Sequence, residues 1–365
     1  MNISILTNMV APYRVPFFDA LARQEGVTRL RVLTCVEREI DREWKVENRA
    51  GYAVRQLSGF TLNLKKGADA RRIVHLRLGI FWELIRHRPD RLVIGDASWT
   101  SFLAVLSCLT LGIRYVVWNE ITTTSKVSTG IVSRLRQRMY RHAQSCIASC
   151  QMAKTFLINN GVDEESISIV NNAVDNDFFL EKKRELEPSR VKIRKGLNID
   201  EDTFCFIYVG QLISRKRVVE TVELLSKVRQ ERKIHLLVAG SGPLESEMAK
   251  VAEENGFSDI NFLGFTDPDR LCELYVASDG LILLSDDEPW GMVINEILLF
   301  GKPFFASESV AAAIELKNIN SKSSVVDFDG ISPEIIFDFL SNDDDKSYSV
   351  VSPSAMSKEL LNSLK

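Results

Sequence analysis

The chain has 365 residues, 45% hydrophobic and 26% charged, with a formal net charge of −3. That composition is ordinary for a globular protein, and the length exceeds what one core usually serves, so two domains are expected. No run approaches eighteen apolar residues (the best, 98–112, carries Ser and Thr throughout), which argues against a membrane-spanning helix.

Six cysteines without a C-x-x-C pair and four scattered histidines argue against a disulfide framework or a His-rich metal site and fit a reducing cytosol. The N-terminal M-N-I-S-I-L lacks the basic lead and long apolar run of a signal peptide. Charge is divided unevenly. Residues 1–150 hold 23 Lys and Arg against 12 Asp and Glu, and the remainder holds 23 against 37. Only the first segment is therefore expected to meet an anionic partner.

Short apolar runs alternate with helical patterns, which predicts parallel sheets flanked by helices, in two copies. The first strand, 3–7, leads through Asn8-Met9-Val10-Ala11-Pro12-Tyr13-Arg14 into a helix over 15–24. Prolines stiffen this loop, so Tyr13 and Arg14 either face a ligand at a strand's carboxyl end or merely enter the helix. Strands over 30–34 and 92–95 follow, with a helix over 70–86 in which Ile73, Leu76, Ile80, Phe81 and Leu84 interleave with arginines. Trp99 then reads as an aromatic sugar platform or as core. After a helix over 100–111, strand 115–119 ends at Asn119-Glu120, whose carboxylate suits a general base or plain loop hydrogen bonding. Helices over 133–143 and 151–160 and strands over 146–149 and 168–170 complete the first half.

Two basic stretches lie in this half, Lys65, Lys66, Arg71, Arg72, Arg77, Arg86 and Arg88, and then Arg134, Arg136, Arg138 and Arg141. They read as solvated helix faces or as a surface for anionic lipid. No nucleic-acid recognition motif accompanies them.

The run E-K-K-R-E-L-E-P-S-R opens a charged, glycine-poor segment expected to be a linker. Strands over 204–209, 234–239, 260–262, 281–284 and 304–306 then alternate with helices over 218–231, 244–255, 270–278 and 292–300. The expected division is 1–180, a linker at 181–198, a second domain at 199–340, and a tail at 341–365. The tail's 341–354 is Asp/Ser-rich and reads as mobile, and its last helix, 355–364, is expected to return to the first domain.

Strand 204–209 runs into Gly210-Gln211-Leu212-Ile213-Ser214-Arg215-Lys216. The two cations form a solvated loop if read alone, or a phosphate clamp if other ligand groups share the sheet. Gly240-Ser241-Gly242-Pro243 lacks the third glycine and the acid of a dinucleotide fingerprint, so its glycines serve turn geometry. Phe265 and Thr266, after strand 260–262, line a base pocket or form a plain turn.

The most specific run is S-D-D-E-P-W-G-M-V-I-N-E, residues 285–296. It sets Glu288 on a loop and Glu296 in the helix beyond, with Gly291, Met292 and Val293 at the helix start. A helix N-terminus opened by glycine accepts an anion, and carboxylates on either side accept hydroxyl hydrogen bonds. A ligand with phosphate in the middle and polyols at both ends, a nucleotide sugar, fits this order.

Together E-P-W-G-M-V-I-N-E, V-G-Q-L-I-S-R-K, G-S-G-P, F-L-G-F, Y-V-A-S-D-G-L-I-L-L-S and Asn172-Ala173-Val174-Asp175 resemble glycosyltransferase family 4 over roughly residues 1–310. The start A-P-Y-R-V-P-F-F-D-A-L is similar to a branch common in bacterial surface-polysaccharide clusters. The resemblance implies an α/β GT-B fold, two Rossmann-like parallel-sheet domains facing a central cleft. It implies a retaining transferase using a UDP- or GDP-linked sugar, with no metal and no other cofactor. Arg215 and Lys216 would hold the diphosphate, Glu288 the donor sugar and Glu296 the ribose. Gly210, Gly291, Met292, Val293, Phe265 and Thr266 would line the donor, and Tyr13, Arg14, Trp99, Asn119 and Glu120 the acceptor.

The acceptor would be lipid-linked or an oligosaccharide, and the enzyme cytoplasmic, docked peripherally on the inner face of the membrane. The chain departs from the family where A-P-Y-R replaces a Gly-rich loop, Asn119-Glu120 a histidine, and Gln211 an arginine. Two rivals predict other behaviour: a glycoside hydrolase using Glu288 and Glu296, and a catalytically silent binding subunit.

Overall fold

The computed structural model describes residues 1–36, 51–66, 70–95, 97–127, 129–341 and 350–365. They form two compact units, Met1–Val174 with Val351–Lys365, and Asp175–Val350.

The first unit runs β1 (Asn2–Thr7), α1 (Val15–Ala22), β2 (Arg29–Thr34), β3 (Ala53–Gln56), β4 (Phe60–Lys66), β5 (Ala70–Leu76), α2 (Gly79–Arg86), β6 (Arg91–Ile94), α3 (Trp99–Leu111), β7 (Tyr115–Asn119), α4 (Ile131–Arg141), β8 (Cys146–Ala148), α5 (Gln151–Asn159) and β9 (Ile167–Ile169). Among the described residues its sheet has the order β3-β2-β1-β6-β7-β8-β9, every pair parallel. Strands covered on both faces need apolar side chains at successive positions. Accordingly, β7 is buried at all five residues.

The second unit runs α6 (Asn176–Leu186), α7 (Arg190–Gly196), β10 (Phe204–Val209), α8 (Val218–Val228), β11 (Ile234–Ala239), α9 (Glu245–Glu254), β12 (Ile260–Gly264), α10 (Pro268–Ala277), β13 (Gly280–Leu283), α11 (Met292–Leu299), β14 (Phe304–Ser307), α12 (Ala311–Leu316), β15 (Ser324–Val326) and α13 (Pro333–Ser341). Its parallel sheet has the order β12-β11-β10-β13-β14-β15. In both sheets the order runs outward from one strand, returns, and continues on its other side, the doubly wound pattern. The reversal lies between β1 and β6 in one unit and between β10 and β13 in the other.

Three expectations change. The helix expected over 70–86 is divided: β5 pairs antiparallel with β4, and α2 begins at Gly79. Arg77 lies at that break, buried, with Nη2 donating to Thr61 Oγ1 at 2.8 Å, and Arg136 is buried on α4. Neither faces solvent as the basic-surface reading required. The side chains of Lys65, Lys66, Arg71 and Arg72 lie outside the described residues.

The segment expected to be a linker, 181–198, is instead largely helical, running from α6 through a 3-10 turn at Glu187–Ser189 into α7 of the second unit. Arg194 is buried there, donating to Ala277 O at 2.9 Å, Asp279 Oδ2 at 3.0 Å, and the carbonyls of Asp200 and Thr203 at 2.6 Å. Arg190 Nη2 reaches Asp279 Oδ1 at 2.5 Å. Both terminal nitrogens of Arg194 thus meet two acceptors each, so charge density here marks a packed helix.

The last helix, α14 (Pro353–Ser363), lies in the first unit, where Met356, Leu360, Leu361 and Leu364 share a core with Ile3, Ile5, Phe18 and Leu21. Most of the 341–354 stretch read as mobile, namely 342–349, lies outside the described residues.

Candidate functional site

In the second unit, chain leaves the carboxyl ends of β10 and β13, the neighbouring strands where the order reverses. An open α/β sheet binds ligands in that crevice. The segment after β10 carries Arg215, Lys216 and Arg217, and the segment after β13 carries Asp286, Asp287 and Glu288. The two are stitched together. Asp286 N donates to Arg215 O at 2.8 Å, Arg215 Nη1 donates to Asp287 O at 2.6 Å, and Arg217 Nε donates to Asp286 Oδ1 at 2.6 Å. Lys216 Nζ pairs with Glu288 Oε2, both side chains largely buried.

Electrostatics follow from that crowding. Burial and then the adjacent Arg215 guanidinium lower the Lys216 pKa, with Asp287 opposing. Contact with the Glu288 carboxylate favours the charged ammonium. Arg215 stays exposed, so it supplies a solvent-facing fork beside a sheltered point charge. Arg217 adds a third cation, stacked 4.6 Å from the centre of the Phe328 ring.

Glu288 is positioned by its own backbone. Its N–H donates to Ser309 O at 3.2 Å, its carbonyl accepts from Ala311 N at 3.1 Å, and Trp290 O accepts from Ala312 N at 2.8 Å. Buried Trp290 donates through Nε1 to Asn295 Oδ1 at 2.8 Å. Gly291 follows at φ +93°, and an added Cβ would stand 3.1 Å from Val310 Cγ1 and 3.2 Å from Glu288 Cγ. Glycine is needed here both for the dihedral and for the space. It also caps α11 without a side chain, leaving the first-turn N–H groups of Met292 and Val293 outside the intrahelical ladder.

Glu296 lies one turn into α11 and accepts a 2.6 Å hydrogen bond from Tyr275 Oη. Burial pushes its pKa up to about 7, the Tyr275 hydroxyl opposing. Phe265 and Thr266 follow β12, two strands from the reversal. Phe265 is exposed, and Thr266 Oγ1 bonds Gly264 O at 3.1 Å.

Gly240 and Gly242 resolve as geometry. A Cβ on Gly240 would fall 1.8 Å from Gly210 O, and one on Gly242 would fall 2.4 Å from Leu212 O. These glycines let the turn after β11 lie backbone-to-backbone on the Gly210 loop, with Leu212 N donating to Ser241 O at 3.0 Å.

The first unit has its own crevice at the β1/β6 reversal, a cavity of 170 Å³ bordered by Thr7, Tyr13, Arg14, Gly95, Trp118 and Glu120. Arg14 pairs there with Glu120, and its Nη1 donates to Asn172 Oδ1 at 3.0 Å. Asn172 Nδ2 donates to Glu120 Oε1 at 2.8 Å, and the Arg14 guanidinium lies 4.4 Å from the Trp118 ring centre. Asn119 is buried instead, donating to Ile121 O at 2.8 Å and accepting from Tyr140 Oη at 3.1 Å. Its role is to hold the loop. Trp99 is 40% exposed at the start of α3, so it is not a core residue.

Five contributors escaped the sequence reading: Arg217, Asp286, Tyr275, Trp118 and Asn172. Arg217 continues the S-R-K run and Trp118 precedes Asn119, so adjacency was an available signal for both. Tyr275 had only a helical spacing, which predicts burial without naming a partner.

Residues 189–322 match the model of the family described as glycosyl transferases group 1. An uncharacterized glycosyltransferase of Methanocaldococcus jannaschii is 24% identical over 185 residues, 48% of this chain and 47% of that protein. The N-acetyl-alpha-D-glucosaminyl L-malate synthase of Bacillus anthracis is 28% identical over 140 residues, 38% of this chain and 35% of that protein. The chain thus spans about half or less of the length of these relatives. Among solved structures, Anabaena HepE in complex with UDP superposes with a TM-score of 0.71 at 15% identity, covering 99% of this chain and 94% of that one. WaaG, a glycosyltransferase involved in lipopolysaccharide biosynthesis, gives 0.64 at 16%, covering 99% and 93%. The chain therefore has the GT-B fold, and its residues 189–322, the stretch that contains Arg215, Lys216, Glu288 and Glu296, are similar to glycosyl transferases group 1.

Proposed function

We propose that the protein is a retaining glycosyltransferase that moves a sugar from a UDP- or GDP-linked donor to a lipid-linked or oligosaccharide acceptor, in bacterial surface-polysaccharide assembly such as O-antigen, capsule or exopolysaccharide. The observation that carries this reading is the convergence of Arg215, Lys216 and Glu288 at the β10/β13 reversal, beside the uncapped start of α11. Arg215 and Lys216 take the donor diphosphate, assisted by the Gly291–Val293 backbone. As the phosphate draws Lys216, Glu288 is released to accept donor sugar hydroxyls. Glu296 accepts ribose hydroxyls, with Gly210, Phe265 and Thr266 along the base side.

In the transfer step, the acceptor hydroxyl oxygen bonds to the anomeric carbon on the face from which the diphosphate departs. The anomeric carbon–phosphate oxygen bond breaks, and the hydroxyl proton passes to the departing phosphate. Charge developing on that phosphate is met by the two cations, so electrostatic stabilisation dominates and no metal is needed. The Arg14–Glu120 crevice serves the acceptor, with Tyr13 and Trp99 as apolar sides. Relatives support the direction: HepE has been solved with UDP and with UDP-glucose, and a sequence relative is the D-rhamnosyltransferase WbpZ of Pseudomonas aeruginosa.

A thermal-shift panel of nucleotides and nucleotide sugars tests the donor. Stabilisation by UDP or GDP that is lost in Lys216→Ala, together with loss of transfer in Glu288→Ala, is expected. Oligosaccharide hydrolysis without nucleotide protection would refute the assignment. Nucleotide binding with full cellular polysaccharide in both variants would leave only a binding subunit.

The same reading places the first unit on an anionic membrane surface. No helix among the described residues is long and apolar enough to cross a membrane. Phe60, Leu62, Phe81 and Trp82 are exposed in the first unit. Sedimentation with anionic vesicles should weaken steeply as salt rises, and salt-independent or absent binding would overturn this part.

A further inference from the structure

A second polar cavity in the first unit lies at the amino edge of its sheet, away from the strand ends that bear Arg14 and Glu120. It measures 230 Å³ and is bordered by the starts of β1 and β2 and the segment joining α2 to β6. Arg29, Arg31, Arg86, His87 and Arg88 stand on its walls. Arg29 and Arg31 are two apart on β2 and so share one face of the strand. Arg86 ends α2, and Arg88 follows two residues later.

The acids nearby do not balance these cations. Glu83 accepts from Arg31 Nη1 at 2.9 Å and lies 3.9 Å from His87 Nε2. Asp90 accepts from the Asn2 backbone N–H at 2.7 Å. Arg88 Nη2 donates to Leu111 O at 2.6 Å, leaving its other donors for the cavity. Like charges converging on one cavity repel one another, and an oxyanion among them relieves that repulsion. Arginine's planar fork matches phosphate oxygens bidentately. The cavity is smaller than the roughly 300–1,000 Å³ of drug-sized ligand sites, which suits one phosphate or diphosphate group and not a whole nucleotide sugar.

We propose that this cavity binds a phosphate-bearing group through Arg29, Arg31, Arg86 and Arg88, independently of the donor residues of the second unit. The group belongs to a soluble phosphate ester or to a lipid headgroup. The lipid source is worth its own arm because Trp82, 71% exposed, lies one helical turn before Arg86.

The test uses the full chain and the triple variant Arg29→Gln, Arg86→Gln, Arg88→Gln, whose side chains are solvent-exposed, so the fold should persist. Inorganic phosphate and pyrophosphate are titrated by calorimetry, and vesicles of phosphatidylglycerol or phosphatidylcholine are co-sedimented. The readout is the difference between the two proteins, so phosphate held at Lys216 cancels. An affinity at least tenfold weaker in the variant for the free anions assigns a soluble ligand. The same loss confined to phosphatidylglycerol vesicles assigns a headgroup. Equal behaviour of both proteins toward every probe, with matching thermal unfolding, overturns the proposal. A UDP-induced shift in both proteins shows the donor side intact. Absence of both a UDP- and a GDP-induced shift from both proteins would sink the donor assignment and leave this one standing.

Discussion

Replacing Glu296 with Gln should stabilise the protein in a pH-dependent way. The Glu296 carboxyl is pushed from its usual 4.5 up to about 7, burial being the main cause and the Tyr275 hydrogen bond the opposing one. The folded state therefore holds this proton more tightly than the unfolded state does. Below pH 4.5 the group is protonated in both states and has no effect. Between 4.5 and 7 the unfolded chain releases the proton first, so stability falls as pH rises, and above 7 the loss is complete and constant. A shift from 4.5 to about 7 corresponds to roughly 3 kcal/mol. Water reaching the half-buried side chain screens part of that, leaving about 2 kcal/mol.

Gln keeps an acceptor for Tyr275 and cannot ionise, so the variant should match the parent near pH 4.5 and exceed it by about 2 kcal/mol at pH 8. For a unit of this size that is a gain of roughly 4–8 °C in Tm. Urea unfolding of both proteins across pH 4.5–8.5 measures it. The Lys216 titration is common to the two and drops out of the difference. If the two stability profiles run parallel, Glu296 is not held protonated by burial, and the account of its environment is wrong.

Other perturbations test the remaining geometry. Lys216→Met leaves Glu288 sheltered and unpaired, so stability should fall by about 3 kcal/mol, and Lys216→Met with Glu288→Gln should recover most of it in a double-mutant urea series. Recovery below a third would mean that the two side chains are not coupled. Gly291→Ala forces a side chain into a positive-φ position and against Glu288, which should cost about 1–2 kcal/mol and abolish UDP-induced thermal protection. Unchanged protection would remove Gly291 from the donor site. Arg194→Ala strips acceptors on Ala277, Asp279, Asp200 and Thr203 of their partner, so a loss of about 3 kcal/mol is expected in urea. A neutral result would return residues 190–196 to the status of a linker.

What the sequence disclosed follows from how each element is buried. Strands such as β7 and β11 are covered on both faces, so they appear as mainly apolar runs and their alternation with helices is readable. The β4–β5 hairpin is different. Its strands mix Thr, Asn, Lys and Arg with apolar residues, and the stripe through Ile73, Leu76, Ile80 and Leu84 fits a helical period although it spans β5 and α2. Periodicity alone does not separate those cases. Helices α6 and α7 were hidden for the opposite reason. Arg190 and Arg194 look like solvated charge until Asp279 and five carbonyls are seen around them.

The juxtaposition of Lys216 and Glu288 follows from strand order, not from chain proximity. Lys216 and Glu288 are far apart in the chain, yet each follows a strand flanking the reversal, and a doubly wound sheet sends both loops to one crevice. Partnering was not legible. Arg14 read as a side chain facing a ligand or merely entering a helix, and the fold engages it with Glu120, Asn172 and the Trp118 face. That neutralisation has a chemical consequence. A guanidinium already satisfied by a carboxylate and an amide is a poor anchor for a second anion, whereas Glu120, with its side chain partly open, retains lone pairs for a hydroxyl. On the proposed reading, the first unit's crevice would orient a hydroxyl-bearing acceptor, and the phosphate-seeking cations would be those of the β10 loop and, separately, of the arginine cavity at the sheet's other edge.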